Sequence, residues 1–254
     1  MTPALETIGL HKRFGALIVA NDIHFRLEAG ARHALIGPNG AGKTTFINLI
    51  TGRLPPSAGR IMLGGQNITA LPQAARVGRG LGRTFQINTL FRGLSVLENV
   101  CLAVGEHEGI GGDMLRSLGA RRAVLDAGYA LLERLRIADD ALVPVKDLPY
   151  GKQRLVEIAI ALGLQPTVLL LDEPAAGVPS AEIAIILDVI ERLPSDIAVL
   201  VIEHDMELVF RFAQRVAVLV DGRLLTEGTP SEIAADPRVR DVYLGEPAAP
   251  GQAG

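Results

Sequence analysis

The amino-acid sequence predicts an α/β fold, a mostly parallel sheet with helices packed against it, and three observations predict it. A glycine-rich turn, Gly37 to Thr44, follows an apolar strand and leads into a helical stretch. From residue 168 onward, apolar strands alternate with helical segments, as in parallel strands joined by crossover helices. The chain has 254 residues, 48% apolar and 21% charged, enough to bury a sizeable core in one large domain or one domain with an insertion.

The first 36 residues read as a small β region: Leu5 to Leu10, then Ile18 to Leu27, then His33 to Ile36. In the second of these, Ile23, Phe25 and Leu27 alternate with polar positions, which is the strand period. A helix over Thr45 to Thr51 follows the glycine turn and is ended by Gly52 and the Pro55-Pro56 pair. Residues from about 94 to 164 change character. Val124, Ala127, Leu131, Leu132 and Leu135 recur at helical spacing, so this stretch is expected to be a helical insertion. Gly105 to Gly119 holds five glycines and reads as including a flexible connection. Next come strand Val168 to Leu171, helix Ser180 to Leu193, strand Ile197 to Ile202, helix Met206 to Ala213 and strand Val216 to Val220. The tail from Pro247 is expected to fray.

Composition excludes several classes. The formal charge is -3, and the one dense basic stretch, Arg76, Arg79 and Arg83, is interleaved with glycines rather than aromatics, so no nucleic-acid partner is expected. Cys101 is the sole cysteine, which rules out an intrachain disulfide or a cysteine metal cluster and fits a reducing compartment. The longest apolar runs fall far short of the ~20 residues a membrane-spanning helix needs. The N-terminus lacks the apolar region of a signal peptide and carries Glu6, so no export is expected.

Gly37-Pro38-Asn39-Gly40-Ala41-Gly42-Lys43-Thr44 satisfies the Walker A pattern, in which glycines let backbone N–H groups curl around phosphates at a helix N-terminus. Lys43 is expected to meet the β and γ phosphates, Thr44 to offer its hydroxyl to Mg²⁺, and Thr45 to join the phosphate-contacting set. Val168 to Leu171 is an apolar strand that delivers Asp172 and Glu173 at its C-terminal end, where α/β sheets place ligands. Asp172 is expected to hold Mg²⁺ through water, and Glu173 to polarise the attacking water. A strand ending in Asp-Glu is weak alone; its place downstream of a Walker A motif gives it weight.

These residues resemble the ATP-binding cassette (ABC) ATPases, and in particular the motor subunits of branched-chain amino-acid uptake systems, over about Leu5 to Gly245. The resemblance implies a P-loop NTPase with a RecA-like core, an N-terminal antiparallel β region and a helical insertion. Residues 1–88 and 165–254 would form the core and 89–164 the helical subdomain. Phe14 occupies the place of the adenine-stacking aromatic, a β-sheet core phenylalanine being the alternative. Gln86, in Arg83-Thr84-Phe85-Gln86, looks like the Q-loop glutamine, able to reach Mg²⁺ or the attacking water. His204 resembles the switch histidine that hydrogen-bonds the γ-phosphate.

The signature motif, normally Leu-Ser-Gly-Gly-Gln, appears as Leu148-Pro149-Tyr150-Gly151-Lys152-Gln153. In the family, one subunit's motif closes over ATP held by the other's Walker A loop. Pro149 lacks the serine hydroxyl and an N–H, whereas Gly151 and the helix after it keep the close approach and the positive helix end. Lys152 is a candidate substitute for the serine, against the alternative of a solvated surface lysine. After Glu173, Pro174-Ala175-Ala176-Gly177-Val178-Pro179 lacks the D-loop aspartate common in the wider family. Val242-Tyr243-Leu244-Gly245 resembles the end of branched-chain motor subunits and of lipopolysaccharide-export ATPases, a packed amphipathic terminus being the alternative.

The function this implies is an ATP-hydrolysing motor, using ATP and Mg²⁺, peripheral on the cytoplasmic face of the inner membrane. Its partners would be transmembrane permease subunits, a second ABC ATPase subunit, identical or paralogous, and indirectly a substrate-binding protein. Other cargoes served by similar motors are urea, amides, aromatic amino acids and exported lipopolysaccharide. A soluble ABC protein without a membrane partner, or a regulatory cassette, would be the alternatives outside transport.

Overall fold

A computed structural model describes residues 2–84, 90–110 and 122–244. In chain order the strands are β1 (Leu5–Phe14), β2 (Leu17–Leu27), β3 (Arg32–Ile36), β4 (Ala58–Leu63), β5 (Gln66–Asn67), β6 (Leu81–Arg83), β7 (Val168–Asp172), β8 (Ala198–Ile202), β9 (Arg215–Val220) and β10 (Arg223–Gly228). The helices are α1 (Lys43–Thr51), α2 (Gln73–Val77), α3 (Val96–His107), α4 (Arg122–Arg134), α5 (Tyr150–Gly163), α6 (Ser180–Glu191), α7 (Met206–Phe212), α8 (Pro230–Ala235) and α9 (Pro237–Leu244).

β1, β2, β4 and β5 make an antiparallel sheet in the order β2-β1-β4-β5. The other strands make a six-stranded sheet, β10-β9-β3-β8-β7-β6. Its pairs are parallel except for the β9–β10 hairpin. β7 and β8 read as unbroken apolar runs because the sheet is buried on both faces. Leu35, Leu170, Leu200 and Leu219 face a core shared with α1 and with Leu5, Ile23 and Phe25 of the antiparallel sheet. Leu169, Leu171, Val199, Val201 and Val218 face a second core with α3 to α6.

The register sets the position of the site. Leu35 of β3 and Asp172 of β7 both lie opposite Ile202 of β8, so the loops after these strands leave the sheet at one edge. Open α/β sheets bind ligands there.

Several bounds differ from the sequence reading. β1 runs four residues beyond Leu10, and α1 begins at Lys43, two residues before Thr45. Gly105, expected in a flexible connection, is helical and buried: α3 carries a Ser95–Glu98 capping box and continues to His107. Residues 111–119 lie outside the described ones.

Candidate functional site

The Walker A loop is shaped by backbone. β3 is buried along its whole length and delivers the chain at Gly37. The turn is tied by the Ala41 N–H to the Pro38 carbonyl at 3.2 Å and by the Gly222 N–H to the Ala41 carbonyl at 2.9 Å. Gly42 has φ 102°, and a Cβ there would lie 2.7 Å from the Val19 carbonyl oxygen, so glycine is required. No side chain caps α1 and no acid sits in its first turn, which leaves the amides at Lys43, Thr44 and Thr45 pointed at an anion site. Lys43 Nζ folds back onto the carbonyls of Gly37 at 2.6 Å and Pro38 at 3.1 Å. Burial pushes its pKa down, opposed by the nearby charges of Glu173 and Asp172.

Thr44, Asp172 and Glu173 line one cleft of about 790 Å³, together with Asn48, Arg83 and Arg154. At the end of β7, Asp172 is held by Arg83 Nη2 at 2.8 Å, while Arg83 Nη1 donates to Asn48 Oδ1 at 3.2 Å. Glu173 takes a left-handed conformation, φ 47°, and its amide bonds the Ile202 carbonyl at 2.9 Å. Its carboxylate is half exposed and lies 4.0 Å from His204 Nδ1. The strain of a positive φ at a glutamate is of the kind functional sites hold.

Phe14, at the end of β1, is 49% exposed, with Lys12 Nζ 4.9 Å from its ring centroid. It is therefore not a core side chain. Gln86 lies outside the described residues. Pro149 is the N-cap of α5 and supplies no side-chain bond; the Gly151 amide donates instead to Glu182 Oε2 at 3.0 Å. The Lys152 ammonium lies on Asp140 at 2.6 Å, so it would have to leave that ion pair to reach phosphate. Gln153 is buried and bonds the Leu148 carbonyl at 2.8 Å. Tyr150 is partly exposed. Pro149, Gly151 and Lys152 line a separate pocket of about 230 Å³ with Glu182. Within one chain the signature residues and the Walker A loop line different hollows. Tyr243 packs onto the second core; burial raises its hydroxyl to about 12, opposed by the Gly37 backbone. Gly245 lies outside the described residues.

Sequence reasoning gave no role to Glu203, which is 1% exposed. It accepts from the Ala175 amide at 3.1 Å and the His204 amide at 3.2 Å, and so ties the turn after Glu173 to the start of the His204 loop. Burial pushes its carboxyl up, opposed by those amides and His204. Its one signal was an acid directly after an apolar strand. Arg83 was read only as part of a basic stretch, since its partners are 35 and 89 residues away.

The ABC transporter family model matches residues 20–176, more than half of the chain. That of the branched-chain amino acid ATP-binding cassette transporters matches residues 223–249. The high-affinity branched-chain amino acid transport ATP-binding protein LivG of Escherichia coli (strain K12) is 39% identical over 253 residues, covering 96% of this chain and 98% of that protein. The lipopolysaccharide export system ATP-binding protein LptB of the same organism is 34% identical over 243 residues, covering 95% and 97%. Among solved structures, the ADP conformation of MJ1267, an ATP-binding cassette of an ABC transporter, aligns with TM-score 0.83 at 30% identity, covering 97% of this chain and 100% of that one. A Walker A loop, two acids and a histidine at one sheet edge, in a chain so matched along its length, make this protein a member of the ABC transporter family, an ATPase subunit related to the branched-chain amino-acid ATP-binding proteins.

Proposed function

We propose that the chain is the motor of an importer for branched-chain or other hydrophobic amino acids, converting ATP hydrolysis into movement of separate membrane subunits. One observation carries the chemistry: the loops after β3, β7 and β8 meet at one edge, so the Walker A turn, Glu173 and His204 are neighbours. The Lys43 ammonium and the amides of the first turn of α1 would bind the ATP phosphates. The exposed Phe14 would stack on the base. Glu173 would orient and polarise the water, and His204, 4.0 Å away, would donate to the γ-phosphate. By the family resemblance, Gln86 would reach Mg²⁺ or the attacking water.

Thr44 and Asp172 fit Mg²⁺: both offer ligand oxygens in one cleft. That matches an ion held by one or two side chains, substrate phosphates and water. When bound, Mg²⁺ neutralises charge on the phosphates.

The separation of the signature residues from the Walker A loop supports a sandwich of two cassettes, in which Pro149 to Gln153 of one would cover ATP held by the other. We read 1–88 and 165–254 as the ATPase core and 89–164 as the helical subdomain. An apolar groove of about 380 Å³, walled by Leu90, Phe91, Leu102, Ala103, Ile160 and Leu164, would receive a cytoplasmic helix of the permease. Among the described residues no helix is long and apolar enough to cross a membrane, so this role needs a separate membrane subunit, at whose cytoplasmic face the cassette would sit. A substrate-binding protein would act through that permease. Affinity purification of the tagged cassette from detergent-solubilised membranes tests the reading. A polytopic pair should co-purify, and a solute-binding protein specific for hydrophobic amino acids should stimulate the reconstituted complex. Ribosomes or DNA as the sole partners would remove it.

A further inference from the structure

Two buried charges on α5 have no part in the chemistry above. Arg154 and Glu157 are 8% and 3% exposed and pair through Nη1 and Oε2 at 2.9 Å. Each also keeps a buried polar atom with no hydrogen-bond partner, Arg154 Nε and Glu157 Oε1. They face different hollows: Arg154 lines the cleft with Asp172 and Glu173, whereas Glu157 lines the apolar groove with Phe91 and Ile160. Arg154 also lies against the two loops that would meet a second cassette. Its Nη2 is 3.5 Å from the Ala176 carbonyl in the turn after Glu173, and its guanidinium sits 5.6 Å from the ring centroid of Tyr150.

We propose that the Arg154–Glu157 pair couples the docking groove to the nucleotide cleft, as a pair of positioning residues: a hydrogen-bond donor on the docked helix takes the Glu157 carboxylate and frees Arg154 to move into the cleft. The inference rests on the docking reading above. A buried ion pair repays its desolvation only when its remaining donors and acceptors are also satisfied. Here one on each side is not, so the arrangement with an empty groove is poised against one in which each charge finds a second partner. Burial lifts the Glu157 carboxyl to about 7, opposed by the hydrogen bond and charge of Arg154. Freed from Glu157, the guanidinium has the carboxylates of Asp172 and Glu173 in the same cleft and the Ala176 carbonyl beside it. A change in the groove thereby alters charge and loop position where ATP would be hydrolysed.

The test uses the cassette co-purified with its membrane subunits, compared with the cassette alone, in wild type, Glu157→Gln and Glu157→Asp. The quantity read is the ratio of kcat in the complex to kcat of the isolated cassette, with KM for ATP and the yield of co-purified permease measured alongside. Glu157→Gln keeps the shape and an acceptor oxygen but removes the charge that holds Arg154. It should reduce the ratio at least about fivefold, chiefly by raising kcat of the isolated cassette, with KM within about twofold and permease yield unchanged. Glu157→Asp, which withdraws the carboxylate by one methylene, should fall between, and it carries the test if Glu157→Gln fails to fold. A wild-type ratio in both variants overturns the coupling and leaves docking intact. Loss of the permease from the variants also overturns it, making Glu157 a docking contact only. Failure of any membrane subunit to co-purify with the wild type removes the docking reading and the coupling with it.

Discussion

Lys43 and Glu173 differ in what they would contact, and their variants should separate accordingly. The Lys43 ammonium rests on the Gly37 and Pro38 carbonyls, where, in the proposed reading, it would complete the cradle for phosphates in the ground state. Glu173 stands at the cleft with its carboxylate half exposed beside His204. Lys43→Ala should weaken ATP binding by about ten- to a hundredfold, the loss of a charged hydrogen bond worth about 1.5–3 kcal/mol. Glu173→Gln should retain ATP and stall hydrolysis; equilibrium binding and phosphate release on the two proteins check this. Glu157 gives a pH prediction. Its folded carboxyl titrates near 7 against an ordinary 4.5, so between those values the folded state binds more protons than the unfolded one. Stability from this group therefore falls as pH rises through that window. Thermal unfolding of Glu157→Gln, which cannot ionise, should gain on wild type from about pH 5 to about pH 8, by at most about 3 kcal/mol. A constant difference between the two would show that Glu157 does not titrate there.

At the scale of elements, α1 is supported mainly at one end. No side chain caps its N-terminus, so stability comes from its buried face and its C-terminus. Arg76, 2% exposed, reaches the carbonyls of Leu49 and Ile50 at 2.8 and 2.6 Å, and those of Thr69 and Leu71 at 2.8 and 2.9 Å. A cation at a helix C-terminus also opposes the helix dipole. Arg76→Leu should destabilise the protein by about 2–4 kcal/mol, because buried carbonyls lose their donors, and denaturant unfolding would read the loss. Arg76 is one measure of what the sequence left hidden. It was read only as part of a dense basic stretch, yet its partners come from α1 and from the loop before α2. The elements that were legible carry a strong local signal: the apolar runs of β7 and β8, the glycine turn before α1, the alternation in β2. β6, Leu81-Gly82-Arg83, is three residues long with a glycine in the middle, and it is a strand only because β7 lies beside it. β4 opens with Ala58-Gly59, and β10 mixes Leu224 and Leu225 with Thr226 and Glu227, so neither shows a clean period. α3 runs past the point where its glycine suggested a break, started by the Ser95–Glu98 capping box and with Gly105 on its buried face. At the site, the Walker A turn and Asp172-Glu173 could be read locally, whereas Glu203, Arg83 and the Glu182 contact to Gly151 depend on segments far apart in the chain.

For the whole molecule, the arrangement of hollows supports the proposed pairing of two cassettes. One chain joins the phosphate loop, Asp172, Glu173 and His204 at one sheet edge, but its signature residues line another pocket, where Glu182 holds the Gly151 amide. Under the proposed motor reading a second cassette would finish each site, and bound ATP would supply the negative charge that the uncapped turn of α1 and the N-terminus of α5 both favour. Light scattering on the Glu173→Gln protein, with and without saturating ATP and Mg²⁺, tests this most directly, since slow hydrolysis preserves the closed state. A monomer is expected without nucleotide and a dimer of twice the mass with ATP; a protein that binds ATP and stays monomeric at saturation would contradict a site completed by a second copy of this chain.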